Sequence, residues 1–244
     1  MSKTIGTYGG LCNQVIRNLA LSLVAKKHNL YVDYFNYDLI NNNLGISLFV
    51  GENKFDTTKS VNDDNYMEVL NSNNIDYNLD FNDHFFQFKG INNILYKHLR
   101  SDEQRFNIIK HNSFRNRYNN NNDLFIHIRL KDLSSHNPGI DYYLAVIKKI
   151  QFDKLYVSSD SPYHPILGTI KTKYPEAILM WESPIRVIQF GSTCKHVALT
   201  FGSFSAIIGY LSFFSNVYYT DIDRPVCAGP ISLFTDKGWT PVSF

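Results

Sequence analysis

The sequence predicts an α/β fold in which parallel sheets are covered by helices, and three observations support this. Residues 124–220 alternate between short apolar runs and segments with helical periodicity, as in a doubly wound sheet. The apolar runs are continuous, which is typical of parallel strands buried on both faces. Near the start, a glycine turn joins a strand-like segment to a helical one and indicates a second unit of the same kind.

The first half opens as a β-α-β unit and then loses its pattern. Residues 4–8 are predicted to form a strand, 13–27 a helix with one apolar face, and 30–34 a second strand. Between 36 and 122, paired asparagines interrupt short apolar pieces and the pattern defines no elements. The four asparagines at 119–122 are the best linker candidate, although compositional drift would produce the same tract.

The second half alternates regularly, and its elements can be predicted one by one. With 244 residues, the chain is long enough for two small α/β domains, which we place at 1–118 and 123–244. The predicted strands are 124–128, 155–158, 177–180, 196–200 and 217–220, and the predicted helices are 141–150, 164–173, 184–190 and 203–214.

Composition excludes several classes of protein. The net charge of +2, from 24 basic and 22 acidic residues, is too small for a nucleic-acid coat or a membrane-adhesive face. Cys12, Cys194 and Cys227 are too far apart for a metal motif or a disulfide framework, which indicates a reducing compartment. The longest apolar region, 206–214, is too short to span a bilayer, and the first residues leave no room for a signal peptide. We therefore expect a soluble, cytoplasmic protein without a transmembrane segment.

The segment 125–132, FIHIRLKD, carries the most informative polar residues. Polar groups are costly on a buried strand, so we expect them at its carboxyl end, where open α/β sheets bind ligands. The planar, permanently charged fork of Arg129 suits a phosphate, and Asp132 would orient it or cap the turn. The alternative is a strand end with a surface ion pair.

Three other turns end or follow strands in the same way. The glycine turn at 9–14 lacks the third glycine of a dinucleotide fingerprint, and Asn13 is either a ligand contact or a helix cap. Asp160 follows a strand and could accept paired N–H donors from guanine, or it forms an Asx turn or a helix cap before the next segment. Ser203 opens a helix whose first amides could hold a pyrophosphate, or it is simply a cap.

Taken in order, these segments resemble the α-1,2-fucosyltransferases of glycosyltransferase family 11 over nearly the whole chain. Residues 9–14, GGLCNQ, are similar to that family's GG(L)GNQ turn, and 127–132, HIRLKD, to its HxRRGD motif. The matches continue with 141–143 for DYY, 158–160 for SDD, 203–205 for SSFS, and 239–241 for the EWxxI-type ending.

The resemblance implies a GT-B architecture, in which two Rossmann-like domains face a cleft, and an inverting transfer of fucose from GDP-fucose to a glycan hydroxyl. The domain at 1–118 would hold the acceptor and that at 123–244 the nucleotide sugar, with no cofactor, no metal and no nucleic-acid partner. The implied catalytic residues are Arg129 and Asp132. The implied donor-binding residues are His127, Arg129, Asp160, Ser203, Phe204 and Ser205, and the residues facing the acceptor or sugar are Gly10, Asn13 and Gln14.

The chain also departs from the family pattern. Leu130 and Lys131 stand where the family has a second arginine and a glycine, so another nucleotide sugar, or a non-catalytic nucleotide-sugar-binding protein, is an alternative. Asp132, His136 and Asp141 are all candidates for the general base, and the sequence does not rank them. His127 is expected to anchor the loop rather than act as the base.

Overall fold

The structure is a computed structural model in which residues 1–4, 9–81, 84–222 and 230–244 are described, with Asp132 and Leu133 described for their backbone only. The chain forms two compact units, Met1–His111 and Asn112–Phe244. Both units contain a parallel sheet with helices, which confirms the predicted α/β class.

The first unit has a four-stranded parallel sheet in the order β2-β1-β4-β3. Its longest helix, α1, buries most of its residues and ends at Asn29, which adopts the left-handed conformation common at helix ends. The strands are β1 Ser2–Thr4, β2 Val32–Tyr34, β3 Thr58–Ser60 and β4 Asn78–Asp80, and the helices are α1 Leu11–His28, α2 Tyr66–Asn71, α3 Lys89–Leu99 and α4 Asp102–His111, with a π-helical turn at Leu39–Asn43.

The second unit has a six-stranded parallel sheet in the order β10-β9-β8-β5-β6-β7. The strands are β5 Leu124–Ile128, β6 Leu155–Ser159, β7 Ile178–Met180, β8 His196–Leu199, β9 Asn216–Tyr219 and β10 Thr240–Pro241, and the helices are α5 Ile140–Lys149, α6 Pro165–Lys173, α7 Pro184–Gly191 and α8 Gly202–Leu211. Short 3-10 turns lie at Arg115–Arg117, Lys131–His136 and Ile231–Leu233.

This strand order is doubly wound. The chain builds β5, β6 and β7 outward on one side, and then returns to add β8 on the other side of β5. The order therefore reverses between β5 and β8, and ligands of open α/β sheets bind at the carboxyl ends of strands beside such a reversal. All five residues of β5 are buried, which explains its continuous apolar sequence.

The boundary between the two compact units lies seven residues before the end of the predicted first domain. The asparagines at 119–122 lie inside the second unit, where Asn120, Asn121 and Asn122 make hydrogen bonds. The Asn121 side chain donates to the carbonyls of Arg117 at 2.6 Å and Thr193 at 3.0 Å, and it accepts the amide of Asp123 at 3.1 Å. These contacts attach the tract to the start of the second sheet.

Within the described part of the chain, no helix is both long and apolar enough to cross a membrane. Cys12 and Cys194 are buried free thiols, and Cys227 lies outside the described residues. The predicted strand at 4–8 is described only at its first residue.

Candidate functional site

An ion pair joins the carboxyl ends of two neighbouring strands in the second unit. A guanidinium nitrogen of Arg129, just after β5, lies 2.7 Å from Oδ2 of Asp160, just after β6. The Arg129 side chain is 30% exposed, so solvent and ligands can reach it. The contact is one of charge and proximity rather than an aligned hydrogen bond, because Oδ2 has no hydrogen-bond partner among the described residues. The carboxylate therefore orients the arginine and keeps accepting capacity of its own.

The other oxygen of Asp160 fixes the loop that follows Arg129. Its Oδ1 accepts the backbone N–H of Leu130 at 2.8 Å, and the Leu130 side chain is buried in the hydrophobic core of the unit. Lys131, the next residue, is exposed. The position at which the resembled family has its second arginine is thus a core position in this chain, where a charge would be costly.

His127 lies inside the sheet and contacts helix α8. Its Nδ1 is 2.7 Å from the hydroxyl oxygen of the fully buried Ser205, and its ring packs 4.8 Å from that of Phe204. Burial, with a smaller contribution from the charge of Arg129, lowers the pKa of His127 to about 3. The imidazole is therefore neutral at ordinary pH, and the geometry makes it and Ser205 a link between β5 and the start of α8.

The amino end of α8 lies beside the reversal of strand order. Phe201 is the N-cap residue and makes no side-chain capping bond, and Ser203 lies in the first turn. Ser203 is therefore not the N-cap that one interpretation of the sequence required. The first amides of a helix lack internal partners and favour an anion, so this turn suits a phosphate. Gly202 has φ +83°, a conformation that glycine adopts without strain.

A residue that the sequence did not single out, Asn137, stabilises the carbonyl side of the same loop. Its Nδ2 donates to the carbonyl of Arg129 at 3.0 Å and lies 2.7 Å from the Tyr143 hydroxyl oxygen. The neighbouring Tyr142 donates to the carbonyl of Leu199, the last residue of β8, at 2.7 Å. Tyr142 thus attaches α5 to the end of β8, and Tyr143 contacts the loop after β5 through Asn137.

The structure does not rank the three candidates for the general base. The backbone of Asp132 and His136 lies in the 3-10 turn after Arg129, but the Asp132 side chain is outside the described atoms. Asp141 is exposed in the first turn of α5. Arg129 pairs with Asp160, which is distant in sequence, and the side chain of Asp132, the partner that the sequence suggested, lies outside the described atoms.

The first unit carries a different set of polar side chains, which we call the amide cluster: Asn13, Gln14, Asn36 and Gln87. Gln14 donates to the carbonyl of Gly9 at 3.1 Å and accepts from Asn36 at 2.6 Å. Asn13 accepts from Gln87 at 2.8 Å. The N-cap of α1 is Gly10, without a side-chain capping bond, so Asn13 is not the helix cap either. Amides both donate and accept, which suits a ligand rich in hydroxyl groups.

The two glycines of the turn differ. Gly9 has φ +81°, and a Cβ there would stand 2.5 Å from Nδ2 of Asn13, so the fold requires glycine at this position. Gly10 is exposed with an ordinary φ of −68°, and no atom lies within 4 Å of where its Cβ would stand. The space beside Gly10 is open to a ligand.

The structure therefore brings together Arg129 with Asp160, and His127 with Ser205 and Phe204, at one edge of the second sheet. Asn13 and Gln14 share a cluster in the first unit. The sequence missed Asn36, Gln87 and Asn137, and the only local signal for them is that asparagine and glutamine are frequent in turns. Among the described residues, no three His, Cys, Asp or Glu side chains are grouped so that they could hold a metal ion.

No family model matches the chain, and no curated protein matches it in sequence. The chain is similar to the crystal structure of a NodZ α-1,6-fucosyltransferase soaked with GDP-fucose, with 11% identity and a TM-score of 0.38 over 61% of this chain and 58% of that one. It is also similar to an Arabidopsis thaliana FUT1 variant in complex with GDP, with 10% identity and a TM-score of 0.44 over 93% of this chain and 73% of that one. Both TM-scores are below 0.5, so these likenesses carry no argument about activity, and the chain spans less than two thirds of the NodZ structure.

Proposed function

We propose that the chain is an inverting glycosyltransferase that moves fucose from GDP-fucose to a hydroxyl of a glycan, with an α-1,2 linkage and without a metal. In this reaction the bond between the fucose anomeric carbon and the β-phosphate oxygen of GDP breaks, and the leaving GDP keeps the electron pair. The acceptor oxygen forms the new bond and gives its proton to a base. The chain must then bind a diphosphate, stabilise its growing charge and hold a hydroxyl-bearing acceptor.

The observation that carries the proposal is the Arg129–Asp160 ion pair beside the reversal of strand order in the second sheet. An oriented, partly exposed guanidinium is suited to a pyrophosphate, and the uncapped first turn of α8 supplies further N–H donors. A fixed cation of this kind stabilises charge on a leaving group, which is the task that a metal performs in other transferases.

Guanine is the proposed base because of the remaining capacity of Asp160. One of its oxygens holds the Leu130 amide, and the other lacks a hydrogen-bond partner among the described residues. This second oxygen is itself buried and faces Arg129, so it would accept from an N–H group on the guanine edge once the guanidinium turns toward the diphosphate. In the first unit, the open space beside Gly10 and the more exposed amides of the cluster support an acceptor site for sugar hydroxyls, whereas Gln14 is nearly buried and holds the turn.

Within the donor site, His127 and Ser205 act by positioning. Both are buried and bonded to each other, so they hold the amino end of α8 against β5. Ser203 and Phe204 lie in the first turn of α8, where they would contact the phosphates directly. Asp132 stays the proposed general base, with His136 and Asp141 as the alternatives.

One observation favours a second candidate, a non-catalytic protein that binds a nucleotide sugar. Leu130 is buried where the resembled family has its second arginine, so the anion site has less positive charge than that motif implies. A protein that only binds the nucleotide would tolerate this loss. Hydrolysis of the donor in the absence of acceptor distinguishes the two candidates, because only an enzyme breaks the sugar–phosphate bond.

The test measures the melting temperature of the protein with GDP, GDP-fucose and UDP-, TDP- and CMP-sugars. Each ligand is added once in the presence of EDTA and once in the presence of Mg²⁺ or Mn²⁺. We expect GDP and GDP-fucose to stabilise the protein equally well with EDTA, and a ligand at 100 times its dissociation constant adds about 2.7 kcal/mol. No response to guanine nucleotides would contradict the assignment of the donor. A strict requirement for a metal would contradict the proposed role of Arg129.

A further inference from the structure

The contact between Asn36 and Gln14 controls the orientation of the glycine turn in the first unit. The carbonyl of Gly9 can only accept, so the Gln14 group bonded to it at 3.1 Å is the NH₂. The Oε1 of Gln14 must then point the other way, where it accepts from Nδ2 of Asn36 at 2.6 Å. Gln14 is only 7% exposed, so its side chain has little freedom to choose other partners.

The position of Asn36 is itself fixed by the residue before it. Phe35 follows β2, and its amide donates to the carbonyl and the hydroxyl of Thr4 at 2.9 and 3.0 Å. Its carbonyl accepts from Asn18 at 2.8 Å, and Thr4 and Asn18 are both almost fully buried. Asn36 is therefore held at the carboxyl end of β2, next to the end of β1.

The backbone alone does not explain an asparagine at this position. Asn36 has φ +57°, a left-handed conformation that glycine adopts at lower cost. What glycine lacks is the side-chain NH₂ that Gln14 uses. Gln87 makes an equivalent contact to Asn13 at 2.8 Å, so both amides of the turn are held from outside their own helix.

We propose that Asn36 is a positioning residue for the acceptor, acting through Gln14 on the Gly9–Gly10 turn. This inference rests on the proposed function for its substrate, a glycan hydroxyl, but the contact itself does not. With Asn36 in place, Gln14 holds the Gly9 carbonyl and the open face beside Gly10 is presented in one conformation. Without Asn36, the Gln14 amide can rotate and the turn loses the hydrogen bond from Gln14 to the Gly9 carbonyl.

The test compares three variants. Asn36→Gly removes the amide but suits the backbone conformation, and Asn36→Asp keeps the shape while placing an acceptor against Gln14 Oε1. Asn29→Gly is the matched control, because Asn29 has a similar φ of +51° at the far end of α1. Melting temperatures of all three are recorded, and the side-chain NH₂ signals of Gln14 are followed by ¹H–¹⁵N spectroscopy.

We expect the Gln14 NH₂ signals of Asn36→Gly and Asn36→Asp to move toward those of a free glutamine and to lose protection from exchange, while Asn29→Gly leaves them unchanged. With GDP-fucose and lactose as substrates, the KM for lactose should rise about fivefold in Asn36→Gly, because the loss of one hydrogen bond typically changes an equilibrium constant by about that factor. The kcat and the affinity for GDP should change less than about twofold, because the second unit is untouched.

Unchanged Gln14 signals in Asn36→Gly would overturn the inference, whatever the activity of the variant. Altered signals with an unchanged KM for lactose would also overturn it, since the contact would then have no role in acceptor binding. If the unmodified protein transfers nothing to lactose, that result counts against the proposed function. In that case the Gln14 signals still decide whether Asn36 positions the turn.

Discussion

The polar edges of the two sheets are built from different chemistry. In the second unit, Arg129 and Asp160 form an ion pair at the strand ends, and the neighbouring His127 is buried and neutral. In the first unit, the corresponding strand ends carry the amide cluster, whose contacts among the described residues join neutral side-chain amides to each other and to the Gly9 carbonyl. One edge is suited to a charged ligand and the other to a neutral, hydroxyl-bearing one.

The difference indicates which kind of change should damage each edge. Charged ligands need fixed counter-charges and lose affinity when the charge is displaced. Neutral hydroxyls need many weak donors and acceptors in a fixed arrangement, and such sites depend on the shape of the backbone. Changes of charge should therefore damage the second unit most, and changes of backbone shape the first.

The largest expected effect concerns Arg129. Arg129→Lys keeps the charge without the planar fork, so the fold should survive while turnover of GDP-fucose falls by about 100- to 1000-fold, or roughly 2.7 to 4 kcal/mol of barrier. Donor turnover is measured together with the melting temperature. Lys131→Met is the control, and removal of this exposed charge should cost less than about fivefold. Near-normal transfer in a well-folded Arg129→Lys would place the anion site elsewhere.

The second effect separates the two glycines of the first unit. Gly9→Ala forces φ +81° on a side chain and drives its Cβ against Asn13, so the free energy of unfolding should fall by about 1–2 kcal/mol or more. Gly10→Ala meets no atom and should cost less than about 1 kcal/mol, while raising the KM for an acceptor. Urea denaturation checks the stabilities. Equal losses in both variants would contradict the idea that only Gly9 is needed by the fold.

The third effect is the response of the second unit to acid. Burial, and to a lesser extent Arg129, lowers the pKa of His127 from 6.5 to about 3, so between these pH values the unfolded chain binds a proton that the folded chain does not. Stability from this group is complete above pH 6.5 and decreases as the pH falls toward 3, by up to about 1.4 kcal/mol per pH unit. The free energy of unfolding, measured by denaturation between pH 7 and 4 in about half-unit steps, should decrease less steeply with falling pH in His127→Asn than in the unmodified protein. The exposed His111→Asn serves as the control, and an unchanged slope in His127→Asn would contradict the assignment.

The smallest effect tests what Asp160 does. Asp160→Asn keeps an acceptor for the Leu130 amide but removes the charge that faces Arg129 and that is proposed to bind guanine. GDP affinity should fall by about tenfold, and the preference for GDP over ADP and UDP should narrow. Calorimetric titration with the three diphosphates measures both. A uniform loss for all three would mean that Asp160 only orients Arg129, and full retention would remove it from the site.

The sequence predicted the second unit better than the first for physical reasons. The strand at 124–128 was predicted with the bounds of β5, because a fully buried strand is one continuous apolar run. In the first unit, β3 is exposed at all three residues and α3 buries the polar Asn92, so periodicity does not mark them. The sequence therefore missed strands β3 and β4, helices α2 to α4 and the short edge strand β10.

The candidate site divides in the same way. Arg129, Asp160 and Ser203 could be proposed from the sequence because they come at or shortly after the ends of apolar strands. Asn36 and Gln87 contact residues 22 and 74 positions away, and no local pattern connects them. The role of Asp160 as the partner of Arg129 was missed for the same reason, since the pairing depends on the register of β5 and β6.

The Leu130 amide gives this protein a built-in reporter of occupancy. Its proton points at Oδ1 of the carboxylate whose other oxygen faces Arg129. If a diphosphate binds as proposed and draws the guanidinium away, the charge on that carboxylate is redistributed, and the resonance of the Leu130 backbone amide should shift with it. Binding of an unlabelled nucleotide to the labelled protein should then be visible in the Leu130 amide signal. A ligand that leaves this signal in place does not contact Arg129.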